Sequence, residues 1–295
     1  MTGIPVEGSR RRTMPTERSV QLRAIARQVL SAYARLPGVA CAAVTGSVAE
    51  GCADAHSDID MTVYYETLPP ADAIAGVRTR LGVPELLWSM GDYGEEGFIE
   101  SYLVDGVECQ VGQTTVQQWE SEIESVRAGK EPGSPLHKAM SGTLVSIAIA
   151  GDARLDEWKA RIRDYPHDLR VAMVRHHLAP PRPWRLVDRL ETRDGGLWWR
   201  QMLVEASFNL IGVSAGLSRR YFTPFQFKRA AAFIDTLGIA PADFARRLEE
   251  LWVVDMHDAA RSLRQLSKEI VELVERELPE VDTAAARKAL SDGAP

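Results

Sequence analysis

The spacing of apolar residues changes near the middle of the chain. In the first half, short apolar runs bounded by glycine, proline or aspartate predict strands over 38–44, 57–65, 84–90 and 98–113, the last divided into a hairpin by Asp105-Gly106. Apolar residues at helical spacing predict helices over about 16–36, 69–82 and 114–129. Beyond residue 150 the patterns are helical, most clearly over 155–165, 198–217, 224–238, 241–254 and 259–278.

These patterns predict an α/β (α+β) domain with a short mixed sheet, followed by an all-helical C-terminal domain. The boundaries that we expect are a loose N-terminal tail over 1–18, a first domain over 19–150 and a helical domain over 151–295. The apolar segment 144–152 is expected to connect the two domains.

Composition narrows the class of protein without naming a function. The 295 residues include 45% hydrophobic and 26% charged residues, as in an ordinary globular protein, and the net charge is −6. The first 150 residues hold 12 Lys and Arg against 19 Asp and Glu, and no basic tract follows, which argues against a nucleic-acid partner. No apolar run reaches about 18 residues, so no membrane span is expected. Three cysteines without CxxC spacing indicate neither a zinc site nor a disulfide framework, and we expect a cytoplasmic protein.

The segment 58–60, Asp-Ile-Asp, places two carboxylates where a strand disfavours them. Asp58 and Asp60 are two residues apart, so both side chains project from the same face of the predicted strand. Like charges side by side are unfavourable unless a cation compensates them. Two oxygen ligands at this spacing suit Mg²⁺, which takes one or two protein carboxylates together with water and substrate phosphates.

A Gly-Ser pair stands upstream of the two aspartates, at the end of the first predicted strand. Gly46 would allow the backbone to approach a phosphate, and Ser47 would cap a short helix and donate to a phosphate oxygen. A two-metal site or a general base needs a third carboxylate. Glu108, on the second strand of the predicted hairpin and on the same side as Gln110, is the first choice, and Glu100 on the partner strand is its rival.

The stretch "GSVAEGCADAHSDIDMTV" resembles the signature of the DNA polymerase β-like nucleotidyltransferase superfamily: Gly-Ser, a spacer, then Asp-apolar-Asp-apolar, with a later third carboxylate. The likeness is nearest to the small-molecule branch, the bacterial aminoglycoside and lincosamide nucleotidyltransferase-like proteins. It implies that Asp58, Asp60 and Glu108 are the catalytic and metal-binding residues, holding two Mg²⁺ ions. It also implies that ATP is bound by Gly46, Ser47, Ser57 and, from the second domain, Lys228.

One residue departs from the pattern of that superfamily. Many relatives have Asp in the late strand at the place occupied here by Gln110, and the acid of this chain, Glu108, stands two residues earlier.

The function expected from these residues is transfer of AMP from ATP to a hydroxyl of a small molecule, with Glu108 as the base. The acidic first half would suit a cationic acceptor, such as an aminoglycoside-like antibiotic. Three alternatives stay open: a protein-modifying, antitoxin-like nucleotidyltransferase, an RNA-directed enzyme, and a non-catalytic nucleotide-binding or regulatory module of the same fold. The sequence does not indicate the acceptor, the preferred nucleotide or the oligomeric state.

His176-His177 is read as a helix end, since adjacent helical residues point about 100° apart.

Overall fold

The structure, a computed structural model, describes residues 14–93, 97–178 and 183–291. Up to residue 150 its elements are α1 (Glu17–Tyr33), β1 (Val39–Val44), α2 (Gly46–Glu50), β2 (Ile59–Tyr65), α3 (Ala71–Arg80), β3 (Trp88–Met90), β4 (Gly97–Val104), β5 (Val107–Thr115), α4 (Val116–Arg127), α5 (Leu136–Val145) and β6 (Ile147–Ala150). After residue 150 they are α6 (Asp152–Arg163), α7 (His167–His177), a 3₁₀ turn (Pro183–Arg185), α8 (Val187–Thr192), α9 (Gly196–Leu217), α10 (Ala230–Ile234), α11 (Phe244–Glu250), α12 (Met256–Glu277) and α13 (Ala284–Ser291).

The described chain divides into two compact units whose boundaries differ from the single one predicted near residue 150. The first unit holds the described residues up to Ser121 together with Gly142–Arg161, and the second holds Glu122–Ser141 together with the described residues from Ile162 onward. The segment after Gly142 belongs to the first unit because β6 pairs with β1, and because Trp158 of α6 packs its ring 4.6 Å from that of Tyr64 on β2.

The predicted tail lies mostly outside the described residues, which begin at residue 14. The helix after it begins earlier than the predicted domain start at residue 19, because Thr16 caps α1. The Thr16 hydroxyl accepts a hydrogen bond from the backbone N–H of Ser19, and Glu17 is already helical.

The predicted mixed sheet is present in the first unit. Its six strands run in the order β3-β4-β5-β2-β1-β6, and β2 and β5 are parallel whereas the other neighbours are antiparallel. The Asp105-Gly106 turn joins β4 to β5 with φ values of 50° and 75°, the left-handed conformation that a two-residue hairpin requires. The parallel pairing brings β5 beside β2, so the two strands that carry the predicted site residues are neighbours.

One face of this sheet is buried and the other carries the polar residues. The apolar side chains of β2, including Ile59, Met61 and Val63, join those of α1 in a single buried cluster. Alternate positions near the start of β2 and in the middle of β5, including Asp60 and Gln110, are only partly buried. The alternation of side chains along a strand therefore separates a core face from a polar face.

The two candidate glutamates lie on opposite faces of the sheet. Glu100 is almost fully buried on the core face, and its Oε1 accepts a hydrogen bond from Nη1 of Arg78 at 2.5 Å. Burial raises the pKa of Glu100, and the nearby Arg78 guanidinium opposes that rise. Glu100 is thus a buried partner of α3, and it lies on the opposite face from Asp60 and Gln110 because it pairs with Val111.

The second unit contains only helices and loops in its described part, as the sequence predicted. The predicted helix over 224–238 is wrong in length, since only Ala230–Ile234 is helical. Gln226 and Arg229 have φ values of 48° and 58°, and left-handed residues interrupt an α-helix. No helix among the described residues is long and apolar enough to cross a membrane.

Two buried histidines make the stability of the second unit depend on pH. Burial lowers the pKa of both His137 and His177 to about 4. For His177, a hydrogen bond between Nδ1 and Oδ1 of Asn209 at 3.1 Å only partly opposes the lowering of the pKa. The folded state therefore binds fewer protons than the unfolded chain, whose histidines titrate near pH 6.5.

We accordingly expect the free energy of unfolding to fall as pH drops from about 6.5 to about 4, by on the order of 2–3 kcal/mol for each histidine. Urea unfolding at about pH 7 and about pH 5 measures this, and the variant His137→Leu should reduce the difference. His56→Gln, at an exposed histidine, is the matched control. If the free energy of unfolding fell by the same amount between these two pH values in the native protein and in His137→Leu, His137 would not be a cause of the pH dependence.

Candidate functional site

The two halves of the sequence signature meet at the start of α2. Gly46 has φ +63°, and a Cβ atom added to it would lie 2.4 Å from Oδ2 of Asp60. The backbone N–H of Thr45 also donates to the carbonyl of Asp60 at 2.9 Å. Glycine is therefore required here for two reasons, its left-handed backbone and the closeness of the Asp60 carboxylate.

The two serines of the signature, Ser47 and Ser57, have local roles in the structure, and the predicted capping role of Ser47 is wrong. Thr45, not Ser47, occupies the N-cap position of α2, and Ser47 lies within the first turn of this five-residue helix. The hydroxyl of Ser57 accepts from the backbone N–H of Asp54 at 2.9 Å and donates to its carboxylate at 3.2 Å. Phosphate contacts of Ser47 and Ser57 stay predictions.

The two aspartates lie at the N-terminal end of β2. Asp60 is the second residue of the strand, and Asp58 immediately precedes the strand rather than lying inside it. Both are half-buried. Asp58 lies on the polar face together with Asp60, since Gln110, the register partner of Asp60, donates a hydrogen bond to the Asp58 carboxylate.

Gln110 links the carboxylates of two strands. It is the register partner of Asp60 across the parallel β2–β5 pair. Its Nε2 donates to Oδ2 of Asp58 at 3.0 Å and to Oε1 of Glu108 at 3.2 Å. The amide thus holds Asp58 and Glu108 on either side of one nitrogen atom, which confirms the prediction that Glu108 and Gln110 face the same side.

Glu108 is held as a carboxylate by three donors. Besides Gln110, the hydroxyl of Ser101 on β4 donates to Oε1 at 2.7 Å, and Nε1 of Trp88 on β3 donates to the same oxygen at 3.0 Å. These hydrogen bonds, the one from Ser101 first, hold the pKa of Glu108 below its ordinary value, and partial burial opposes them. Glu108 is therefore a fixed and ionised group whose second oxygen, Oε2, accepts no hydrogen bond from the described residues.

The oxygen chemistry of Asp58 and Asp60 fits a magnesium ion that also binds substrate phosphates. Mg²⁺ keeps most of its water and phosphate ligands and needs only one or two carboxylates from the protein. Among the described residues, no group of three or more His, Cys, Asp and Glu side chains is arranged to hold a metal ion by itself. Glu108 as a third metal ligand stays a prediction.

The remaining predicted residue belongs to the second unit. Lys228 is exposed in the loop between α9 and α10. Its contact with a nucleotide phosphate stays a prediction. His176 and His177 end α7, as expected, and His177 is hydrogen-bonded to Asn209.

Three contacts of the site were not predicted from the sequence. All three depend on pairing between strands: the bridge that Gln110 makes, the hydrogen bond from the Ser101 hydroxyl and the hydrogen bond from the Trp88 indole. The hairpin contains a signal for one of them, because a two-residue turn at Asp105-Gly106 places Ser101 opposite Gln110. The position of Trp88 has no comparable local signal.

Comparison with known proteins gives distant structural similarity only. No protein-family model and no curated protein matches this chain. Among solved structures, it is similar to a nucleotidyltransferase-like protein from Exiguobacterium sibiricum 255-15, with 13% sequence identity, coverage of 88% of this chain and 79% of that chain, and a TM-score of 0.43.

Proposed function

We propose that this protein is a magnesium-dependent nucleotidyltransferase that moves a nucleoside monophosphate, AMP from ATP, to a hydroxyl of a small molecule. The observation that carries the proposal is the closeness of the Asp60 carboxylate to Gly46, which leaves no room for a Cβ atom there. It joins the Gly-Ser turn and the Asp-x-Asp strand into one unit, as a site for a metal-bound triphosphate requires.

Asp58 and Asp60 are the residues that would hold magnesium, and a bound Mg²⁺ would supply neutralisation of charge on the triphosphate. Gly46 provides backbone without a side chain beside Asp60, where a phosphate approaches. The partly exposed face of β2 and β5 leaves the carboxylates accessible from solvent.

Glu108 is the group that we assign as general base. The acceptor hydroxyl loses its proton to this carboxylate, its oxygen forms a bond to the α-phosphorus, and the bond from that phosphorus to pyrophosphate breaks. Because Oε1 is held by Ser101, Trp88 and Gln110, Oε2 is the oxygen that we assign to proton transfer.

Release of pyrophosphate tests this reaction. The protein is incubated with Mg²⁺, each of the four nucleoside triphosphates in turn, and a panel of aminoglycosides, lincosamides and other polyols. We expect release that requires an acceptor and is lost in Asp58→Asn. Release that Asp58→Asn leaves unchanged would refute the assignment of the site.

The hydrogen bond from Ser101 predicts how the pH profile changes in a variant. Removing a donor to a carboxylate raises the pKa of that carboxylate, so the variant Ser101→Ala should shift the acidic limb of the kcat/KM profile to higher pH. Ser89→Ala, on the neighbouring strand opposite Glu100, is the matched control and should leave the limb in place. An unmoved limb in Ser101→Ala would exclude Glu108 as the titrating base.

A second candidate is a nucleotide-binding module without turnover, and Gln110 is the feature that favours it. An amide stands where many relatives of the signature have a carboxylate, and its nitrogen already occupies one oxygen of Asp58. This candidate predicts Mg²⁺-dependent ATP binding without pyrophosphate release. A gain of release in Gln110→Asp would identify the amide as the cause.

A further inference from the structure

The polar face of the sheet continues from the aspartates to an aromatic residue on the edge strand. Asp60 pairs with Gln110, Gln110 with Ser101, and Ser101 with Trp88, so these four residues form one row across β2, β5, β4 and β3. Side chains directly opposite each other on neighbouring strands share a face. The row therefore passes from a carboxylate at one end to an indole at the other.

Around the indole end, this face is apolar and open to solvent. Leu103 pairs with Glu108, and Met90 pairs with Ile99. Trp88 is 38% exposed, Leu103 47% and Met90 60%. We call Trp88, Met90, Ile99 and Leu103 the apolar shelf, and a cluster of large exposed apolar side chains marks an interaction surface.

The shelf adjoins the group that we assign as general base. Nε1 of Trp88 donates to Oε1 of Glu108 at 3.0 Å, and Leu103 is the direct cross-strand neighbour of Glu108. A molecule lying on the shelf would thus have its edge beside the Glu108 carboxylate. An acceptor hydroxyl has to reach that carboxylate.

Charge restricts what can lie there. An anionic acceptor would be repelled by Asp58, Asp60 and Glu108, which stand on the same face. The same three carboxylates would attract a cation, but ammonium groups lying on the four uncharged side chains of the shelf would lose water without gaining a partner there, so the part of the acceptor that lies on the shelf is uncharged. Apolar and aromatic side chains are suited to bind an uncharged flat or apolar body.

We propose that the apolar shelf binds the body of the acceptor, and that the acceptor is an uncharged hydroxyl compound with an aromatic or flat apolar part. This inference rests on the proposed function, whose site it extends. It replaces the cationic acceptor that the charge of the first half suggested with an uncharged one.

Saturation-transfer difference NMR tests the shelf without turnover. Phenyl β-D-glucoside and methyl β-D-glucoside are titrated into the full-length protein and into its Asp60→Asn variant, with kanamycin as competitor. We expect the phenyl compound to bind about tenfold more tightly than the methyl compound in both proteins, with saturation transferred mainly to its ring protons.

Variants locate the binding. Leu103→Asp, at an exposed position, and Trp88→Ala should each weaken binding of phenyl β-D-glucoside by about fivefold or more, with folding checked by circular dichroism. Trp198→Ala, at a tryptophan 53% exposed in the second unit, is the matched control and should change nothing. Equal binding of the two glucosides, binding indifferent to Leu103→Asp, or displacement by kanamycin would each overturn the inference.

The two proposals fail in different ways. Ring-specific binding that depends on Leu103, together with no pyrophosphate release from any nucleotide, would refute the enzyme and leave the shelf as a ligand site. Acceptor-dependent release that Leu103→Asp leaves unchanged would support the enzyme and refute the shelf.

Discussion

Replacing Asp60 with asparagine is expected to lower the rate of pyrophosphate release by about a thousandfold. Asparagine has nearly the same shape, so the change removes the charge and one strong oxygen ligand while the strand stays intact. Metal stabilisation of a transferring phosphoryl group is worth several kcal/mol, and each 1.4 kcal/mol or so is a factor of ten in rate. Pyrophosphate release at saturating Mg²⁺ and ATP measures the loss.

The control for this variant is Asp72→Asn, which removes an exposed carboxylate from the first turn of α3 in the same unit. It removes one negative charge, as Asp60→Asn does, and should leave the rate within about twofold. If Asp60→Asn and Asp72→Asn had the same activity, Asp60 would not take part in the reaction.

Gly46→Ala is the second change with a large expected effect. The new methyl group would stand 2.4 Å from Oδ2 of Asp60, at a residue whose φ of +63° is already unfavourable for alanine. Either the turn or the carboxylate has to shift. We expect a loss of about 3 kcal/mol in the free energy of unfolding, together with weaker binding of Mg²⁺-ATP, because the carboxylate that shifts is the proposed metal ligand.

Gly82→Ala separates the two causes. Gly82 has φ +75°, and a Cβ added there would meet nothing within 4 Å, so this variant measures the backbone penalty alone, about 1 kcal/mol. The excess loss in Gly46→Ala reports the contact with Asp60, and it should shrink when Asp60→Gly is added. Equal losses in Gly46→Ala and Gly82→Ala, measured by urea unfolding, would show that the contact is without consequence.

Local signals in the sequence predicted much of the site. The Asp105-Gly106 turn fixes the register of β4 against β5, and the two-residue period of a strand then places Glu108 and Gln110 on one face. The same register puts Glu100 on the opposite face, so turn geometry was enough to separate the two glutamates in space.

Features that depend on distant pairing were not predictable in this way. Trp88 reaches Glu108 because β3 adds to the edge of the sheet, and nothing in the residues around Trp88 specifies that register. The helix expected over 224–238 was wrong because left-handed residues, Gln226 and Arg229, are not glycines and give no signal in the sequence. The role of Ser47 as a cap was wrong because α2 begins at Gly46 with Thr45 at the N-cap position, two residues earlier than a Ser47 cap requires.

The central claim is that Gly46, Asp58 and Asp60 form one site for a magnesium-bound nucleoside triphosphate. Calorimetric titration of the protein with a non-hydrolysable ATP analogue, with and without Mg²⁺, tests it without knowledge of the acceptor. The account predicts binding that requires Mg²⁺ and is lost in Asp60→Asn but not in Asp72→Asn. Binding that is as tight without Mg²⁺, and unchanged in Asp60→Asn, would contradict it.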